Sequence, residues 1–169
     1  MERRLILMRH AKSAWDAGAA QDHERSLNDR GRRDAPRVGA RLCELGWVPD
    51  VVLSSDSLRT RQTWDGLASA FERALPGRRF TVCFLPELYL AGLPELGHAL
   101  AAHAGDAATV LALGHNPGWE EAGSFLAGLA VEMGTADALL LCRPGGKWTD
   151  ATGKRGAFRL VEHLRPKAL

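Results

Sequence analysis

Cysteine is scarce in this chain: three residues in 169, at Cys43, Cys83 and Cys142. No two lie close together in sequence, so neither a disulfide framework nor a zinc cluster is expected. Cys83 and Cys142 fall inside apolar, strand-like runs and read as small buried hydrophobes rather than nucleophiles. Long apolar runs are missing as well. Met1-Glu2-Arg3-Arg4 is followed by only four apolar residues before Arg9-His10. That run is too short for a signal-peptide core or a membrane span, so a cytoplasmic protein with no membrane partner is expected. Neither sign of charge is in excess. Lys and Arg number 22 against 20 Asp and Glu, and a net charge of +2 announces no nucleic-acid partner. Linkers, internal repeats and low-complexity tracts are lacking, and the length suits one domain over 1–169 with a proper core. No long apolar strip asks for a second subunit, so a monomer is expected.

Apolar β-type runs alternate with helix-period stretches, the pattern of parallel strands joined by helical crossovers. Strands are expected at Arg3–Met8, Asp50–Ser54, Phe80–Leu85 and Ala108–Leu113, and a closing pair at Ala138–Cys142 and Ala157–Leu164. The closing pair has no helix between its members and can be antiparallel. Asn28-Asp29-Arg30-Gly31 leads into a helix ending near Leu45, with Ala35, Val38, Leu42 and Leu45 on one face. A second helix starts near Ser57 and stops at Pro76-Gly77. Shorter helices are expected over Pro94–Ala104 and Trp119–Leu129.

The polar residues at the strand ends form a pattern on this map. Arg9 and His10 follow the first strand, Ser54, Ser55 and Arg59 the second, Glu87 the third, and His115 with Asn116 the fourth. In an open α/β sheet the carboxyl ends of parallel strands line the ligand crevice. Taken singly, each feature has a plainer explanation: a surface Arg-His pair, a turn capped by its own asparagine, a solvated helix start. Together they fall on one edge. Histidine attacks phosphorus when its ring is neutral, and nearby arginines disfavour the imidazolium. Arginine also grips phosphoryl oxygens bidentately and balances the charge that develops on them. Helix N-termini at Ser57 and at Pro117-Gly118 are expected to aim backbone amides at the same anion.

Three segments carry a resemblance: Leu7-Met8-Arg9-His10-Ala11-Lys12, Leu53-Ser54-Ser55-Asp56-Ser57-Leu58-Arg59-Thr60-Arg61-Gln62-Thr63 and Gly114-His115-Asn116-Pro117-Gly118. They resemble, in order, the motifs of the histidine phosphatase superfamily, and more closely its small SixA-type phosphohistidine phosphatases. Asp22-His23-Glu24-Arg25-Ser26-Leu27-Asn28-Asp29-Arg30-Gly31 is similar to that branch's loop after the first motif. The resemblance implies a three-layer α/β/α sandwich of the phosphoglycerate-mutase-like kind, mostly parallel and without a cap domain. It implies that His10 is the nucleophile that becomes phosphorylated, with Arg9, Arg59 and His115 completing the phosphate pocket. It also implies that water hydrolyses the phosphohistidine with no metal ion or other cofactor. Lys12, Trp15 and Asn116 are further candidates for phosphate or substrate binding.

Two carboxylates depart from a simple transfer of roles. Asp16 stands near the place where many relatives carry a phosphate-holding asparagine, and an aspartate there repels a dianion. Glu87, in Leu85-Pro86-Glu87-Leu88-Tyr89, is near the general acid of larger relatives. An ester phosphatase needs that acid for its alcohol leaving group, whereas imidazole leaves phosphorus readily. Only about one helix separates the third and fourth strands, so the site is expected to be open and suited to a side chain on a protein surface. The expected substrate is therefore phosphohistidine on a phosphotransfer domain or phosphocarrier. A small-molecule phosphomonoesterase and a non-catalytic phosphate-binding module are the rival readings. Trp15 and Trp119 are expected to wall the site, and Trp47 and Trp64 to pack in the core. His98 and His103 do not share a helix face for metal. Arg30, Arg32, Arg33, Arg37 and Arg41 read as a solvated helix face. Lys147, Lys154 and Arg155 sit in a glycine-rich loop over 144–156, where a polar turn or a docking contact is expected.

Overall fold

The alternation of apolar runs and helix-period stretches resolves, among the described residues, into six strands and four α-helices. A computed structural model describes residues 1–15 and 18–169, which leaves Asp16 outside the described residues. The strands are β1 (Arg3–Arg9), β2 (Val51–Ser55), β3 (Thr81–Leu85), β4 (Thr109–Gly114), β5 (Ala138–Arg143) and β6 (Arg159–Leu164). The helices are α1 (Asp29–Glu44), α2 (Leu58–Ala74), α3 (Leu93–His103) and α4 (Gly118–Ala127). The sheet order is β3-β2-β4-β1-β5-β6. β3, β2, β4 and β1 run parallel, and β5 and β6 close the sheet as antiparallel neighbours.

β1, β2 and β4 are covered on both faces, which is why they read as continuous apolar runs rather than alternating ones. Leu5, Leu7, Val110, Ala112, Leu139 and Leu141 pack with residues of α3 and α4. Ile6, Met8, Leu111, Leu113 and Leu140 pack with residues of α1 and α2. The architecture is a three-layer α/β/α sandwich. Among the described residues there is no separate cap domain: between β3 and β4 the chain makes a 3-10 turn and α3.

Two glycines permit the contacts that shape the site edge. A Cβ on Gly31, in the first turn of α1, would lie 2.2 Å from the Lys12 carbonyl oxygen. Only glycine lets α1 lie so close to the loop after β1, and Asn28 caps that end by accepting from the Gly31 N–H at 2.9 Å. A Cβ on Gly114 would lie 2.4 Å from the Trp119 ring. Trp119 is fully buried there and donates its indole N–H to the Ala112 carbonyl at 3.1 Å. It props the end of β4 from below instead of walling the site. Trp47 and Trp64 are buried in the core as expected.

Topology also settles the glycine-rich connector. β5 runs against β1, so Arg143 pairs with Arg3 at the start of β1. The loop carrying Lys147, Lys154 and Arg155 therefore leaves the sheet at the end opposite His10 and does not flank the site. Arg32 and Arg41 of α1 make exposed intrahelical ion pairs, with Asp29 at 3.5 Å and with Glu44 at 3.0 Å.

β1 and β4 are neighbours, yet α1 and α4, the helices that follow them, cover opposite faces. A crevice opens where the two connections diverge, at the carboxyl ends of both strands. His10 and His115 stand at that point.

Candidate active site

His10 begins where β1 stops, and its backbone is tied on both sides. Its N–H donates to the Gly114 carbonyl at 3.0 Å, and its carbonyl accepts from Ala136 N–H at 2.9 Å. The next residue is anchored to α2: Ala11 N–H donates to the Thr63 hydroxyl at 3.0 Å, and that hydroxyl donates to the Arg59 carbonyl at 2.7 Å. The nucleophile candidate and Arg59 are thus held by one small network. His10 Nδ1 lies 2.7 Å from the Ala11 carbonyl oxygen, which can only accept. Nδ1 therefore carries the proton, and Nε2 keeps its lone pair free for attack.

His115 is 1% exposed and its ring centroid is 5.3 Å from that of His10. Its Nδ1 accepts from Arg59 Nη2 at 3.3 Å, so its proton sits on Nε2, which donates to Ser55 Oγ at 2.8 Å. A serine hydroxyl can accept or donate. Ser55 therefore serves either tautomer of His115, and a phosphoryl oxygen that accepts an N–H at Nδ1 would take the place of the bond from Arg59. Arg59 itself is 2% exposed. Its Nε–H is buried without a hydrogen-bond partner, and so is that of Arg9. Buried donors are normally paired; two orphaned guanidinium N–H groups beside two neutral imidazoles describe a site for an oxyanion.

The cleft these groups line encloses about 370 Å³ and includes Lys12, Ser13, Trp15, Asp22, Arg25, Leu90, Asn116 and Thr135 as well as Arg9, His10, Arg59 and His115. Lys12 and Trp15 stand where the sequence places them. Trp15 is 79% exposed at the mouth, with the Arg25 guanidinium 4.0 Å over its ring. Asn116 lines the cleft but its amide is already committed. Nδ2 donates to the Met133 carbonyl at 2.8 Å and to Glu120 Oε2 at 3.2 Å, two partners that only accept. The Met133 carbonyl also takes Arg9 Nη1 at 3.0 Å. Asn116 thus steadies the loop that holds Arg9, and its side-chain amide has no free N–H for phosphate.

Glu87 does not reach the cleft. Pro86–Leu88 forms a 3-10 turn in which Leu88 is fully buried, and this leaves Glu87 pointing to solvent. The side chain that the turn delivers is Tyr89, whose ring stands edge-on to His115 at 5.4 Å. The helix N-termini also miss the lining. Ser57 turns its hydroxyl back to Thr60 N–H at 3.3 Å, and Gly118 packs on the Ala91 carbonyl. Asp22, Arg25 and Tyr89 were not singled out by sequence reasoning. The Asp-His-Glu-Arg run over 22–25 was the available signal for the first two, and nothing local marks Tyr89.

Burial holds both imidazoles neutral. His10 is pushed down to about 4 by desolvation, reinforced by Arg59, Arg9 and Arg25 and opposed by its bond to Ala11. His115 falls to about 3, by desolvation and then by His10 and Arg59. Protonation of His10 removes its nucleophilic lone pair. The rate per encounter, corrected for ionisation of the substrate phosphoryl group, should stay level from pH 7 to about 5 and fall below about 4. A pH profile of kcat/KM checks this; a limb near the ordinary histidine value of 6.5 would mean a solvated nucleophile. The unfolded chain binds protons at these histidines below about 6.5 while the folded chain does not. Their contribution makes the fold less stable as pH falls from about 6.5 toward 4, which melting curves would register.

A sequence model of the histidine phosphatase superfamily (branch 1) matches residues 5–77. An uncharacterised chloroplastic protein of Arabidopsis thaliana is 36% identical over 165 residues, covering 92% of this chain and 73% of that protein. A structure from Nakamurella multipartitia, named phosphohistidine phosphatase SixA, superposes with a TM-score of 0.79 at 29% identity, covering 98% of this chain and 97% of that one. One of the same name from Agrobacterium tumefaciens gives 0.77 at 26% identity, covering 97% and 98%. The chain belongs to the histidine phosphatase superfamily. Within it, the fold is the phosphoglycerate-mutase-like sandwich of the SixA structures.

Proposed function

We propose that this protein removes phosphate from phosphohistidine on a protein partner, a phosphotransfer domain or phosphocarrier, through a phosphoenzyme formed on His10. The observation that carries this reading is the pairing of a neutral imidazole nucleophile with a cleft that, among the described residues, presents no protonated carboxylic acid. Asp22 is the carboxylate among the described lining residues, and hydrogen bonds from Tyr89, Arg25 and Arg59 hold it ionised, well below the usual carboxylate range.

His10 Nε2 attacks phosphorus and an N–P bond forms as the substrate's N–P bond breaks. The substrate ring, protonated on its other nitrogen, departs as neutral imidazole and needs no acid. His10 carries the positive charge meanwhile, and the Ala11 carbonyl at Nδ1 stabilises it. Arg9, Arg59 and His115 hold the phosphoryl oxygens. Water then attacks phosphorus, the P–N bond to His10 breaks, one proton passes to solvent, hydrogen phosphate leaves as a dianion and neutral His10 returns. An alcohol would leave as alkoxide, and among the described lining residues no carboxylic acid stands ready to protonate it. The openness of a site without a cap suits a side chain presented on a protein surface.

The test is turnover of a phosphohistidine-bearing protein against an aryl phosphate, in wild type and in Glu87→Gln. The phosphoprotein should be much the faster substrate, and Glu87→Gln should change its turnover by less than about 2-fold, the effect of an exposed side chain outside the cleft. Loss of a true general acid costs about 10²-fold or more. Dominant ester turnover that collapses in Glu87→Gln would replace the reading with a phosphomonoesterase. Phosphate bound without turnover of either substrate would replace it with a binding module.

A further inference from the structure

Asp22 is an acidic side chain in a cleft otherwise built to receive an anion. It enters from the 3-10 turn Asp22–Glu24. Its Oδ2 accepts from Arg59 Nη2 at 3.0 Å, and its backbone carbonyl accepts from Arg59 Nη1 at 2.8 Å. Oδ1 accepts from Arg25 Nε at 2.9 Å, and the Tyr89 hydroxyl donates to Oδ2. The turn is anchored in addition by His23 Nε2, which pairs with Asp56 Oδ1 at 2.8 Å. The carboxylate is therefore fixed. Asp22 thus grips both terminal nitrogens of Arg59, Nη2 through its carboxylate and Nη1 through its backbone carbonyl, and the buried Nε–H is left without a partner.

We infer that Asp22 is a positioning and specificity-determining residue: it aims Arg59 at the phosphoryl group, and its charge opposes a bound dianion so that product phosphate leaves. This rests on the proposed phosphatase reading. Four cations line the cleft, from Arg9, Lys12, Arg25 and Arg59. Such a site, unopposed, would bind free phosphate as well as it binds the phosphoryl group of the substrate, and equal binding of ground states does not raise turnover. A fixed negative charge changes that balance. It repels a phosphoryl dianion more than the loose, metaphosphate-like transition state, in which the transferring group carries less charge. Repulsion is strongest in substrate and product and relaxes in between.

The prediction concerns ligand charge, because Coulomb energy is linear in it. Calorimetric titration compares sulfate, a tetrahedral dianion, with perrhenate, a tetrahedral monoanion, on wild type and on Asp22→Asn. Asparagine keeps an acceptor for Arg59 and removes the charge. Sulfate should bind Asp22→Asn about 10-fold tighter than wild type and perrhenate about 3-fold tighter, half the change in free energy for half the charge. Inhibition of turnover by inorganic phosphate should deepen about 10-fold in parallel. Tyr89→Phe removes a hydrogen bond to the same carboxylate while keeping its charge, and the sulfate-to-perrhenate ratio should stay that of wild type. Equal tightening for both anions, no tightening, or a Tyr89→Phe ratio matching that of Asp22→Asn would each overturn the inference. Anion binding needs no turnover, so the experiment still reports on Asp22 if phosphohistidine proves not to be the substrate. The two ideas therefore fail separately.

Discussion

His10→Ala is expected to lower turnover of a phosphohistidine substrate by about 10⁴-fold or more, the scale on which removal of a nucleophile acts. It should also abolish the labelled phosphoenzyme that wild type is expected to form with ³²P-phosphoprotein, read after a quench in alkali, where phosphohistidine survives. The size of the effect follows from geometry. Nδ1 is locked to the Ala11 carbonyl at 2.7 Å, so the lone pair at Nε2 is always the one presented to the cleft. Burial and the neighbouring guanidinium groups keep that pair unprotonated at neutral pH. No small displacement brings His115 into the same role. Its Nδ1 faces Arg59 and its Nε2 faces Ser55, so both nitrogens are occupied. His115→Ala should therefore slow labelling yet still permit it. Labelling that persists in His10→Ala would move the nucleophile to another side chain and undo the mechanism.

The parts of this site that could be read in the sequence are those placed by the ends of regular elements. His10 and His115 close strands whose apolar runs are unmistakable, and Arg59 opens a helix marked by its Ser57 cap. Register then fixes their place: Arg9 pairs with Gly114 across β1 and β4, which sets His10 beside His115. The sheet order, with β4 inserted between β2 and β1, depends on long-range pairing that no local pattern encodes. Glu87 shows where local reasoning fails. Its distance from a strand end is right for an acid, but the turn over Pro86–Leu88 is oriented by the burial of Leu88, a tertiary event. The same turn brings Tyr89 to Asp22, two residues 67 apart in sequence. Asn116 is a subtler case. Its position beside His115 was legible, but its partners at Met133 and Glu120 were not, and they turn a candidate ligand into a brace for Arg9.

Arg59→Lys is expected to lower kcat/KM by about 10³-fold even though the charge is kept, with most of the loss in kcat. If Arg59 supplied charge alone, lysine would nearly suffice. The structure gives it work that needs a planar fork. Nη1 holds the Asp22 carbonyl, Nη2 holds both the Asp22 carboxylate and His115 Nδ1, and Nε–H remains for the phosphoryl group. An ammonium presents three donors around one atom and cannot span those partners from a side chain that is 2% exposed. Lysine would leave Asp22 without its second contact and His115 without the donor that sets its tautomer. The effects should appear together: slower phosphoryl transfer, a less ordered 3-10 turn at Asp22–Glu24, and a shifted titration of His115 by NMR. Arg59→Ala should match or exceed the lysine defect, since it removes the cation altogether and leaves the Asp22 carboxylate only Arg25 and Tyr89. An Arg59→Lys enzyme within about 10-fold of wild type would show that the pocket stabilises transferring phosphate by net charge, and that the fork geometry is incidental.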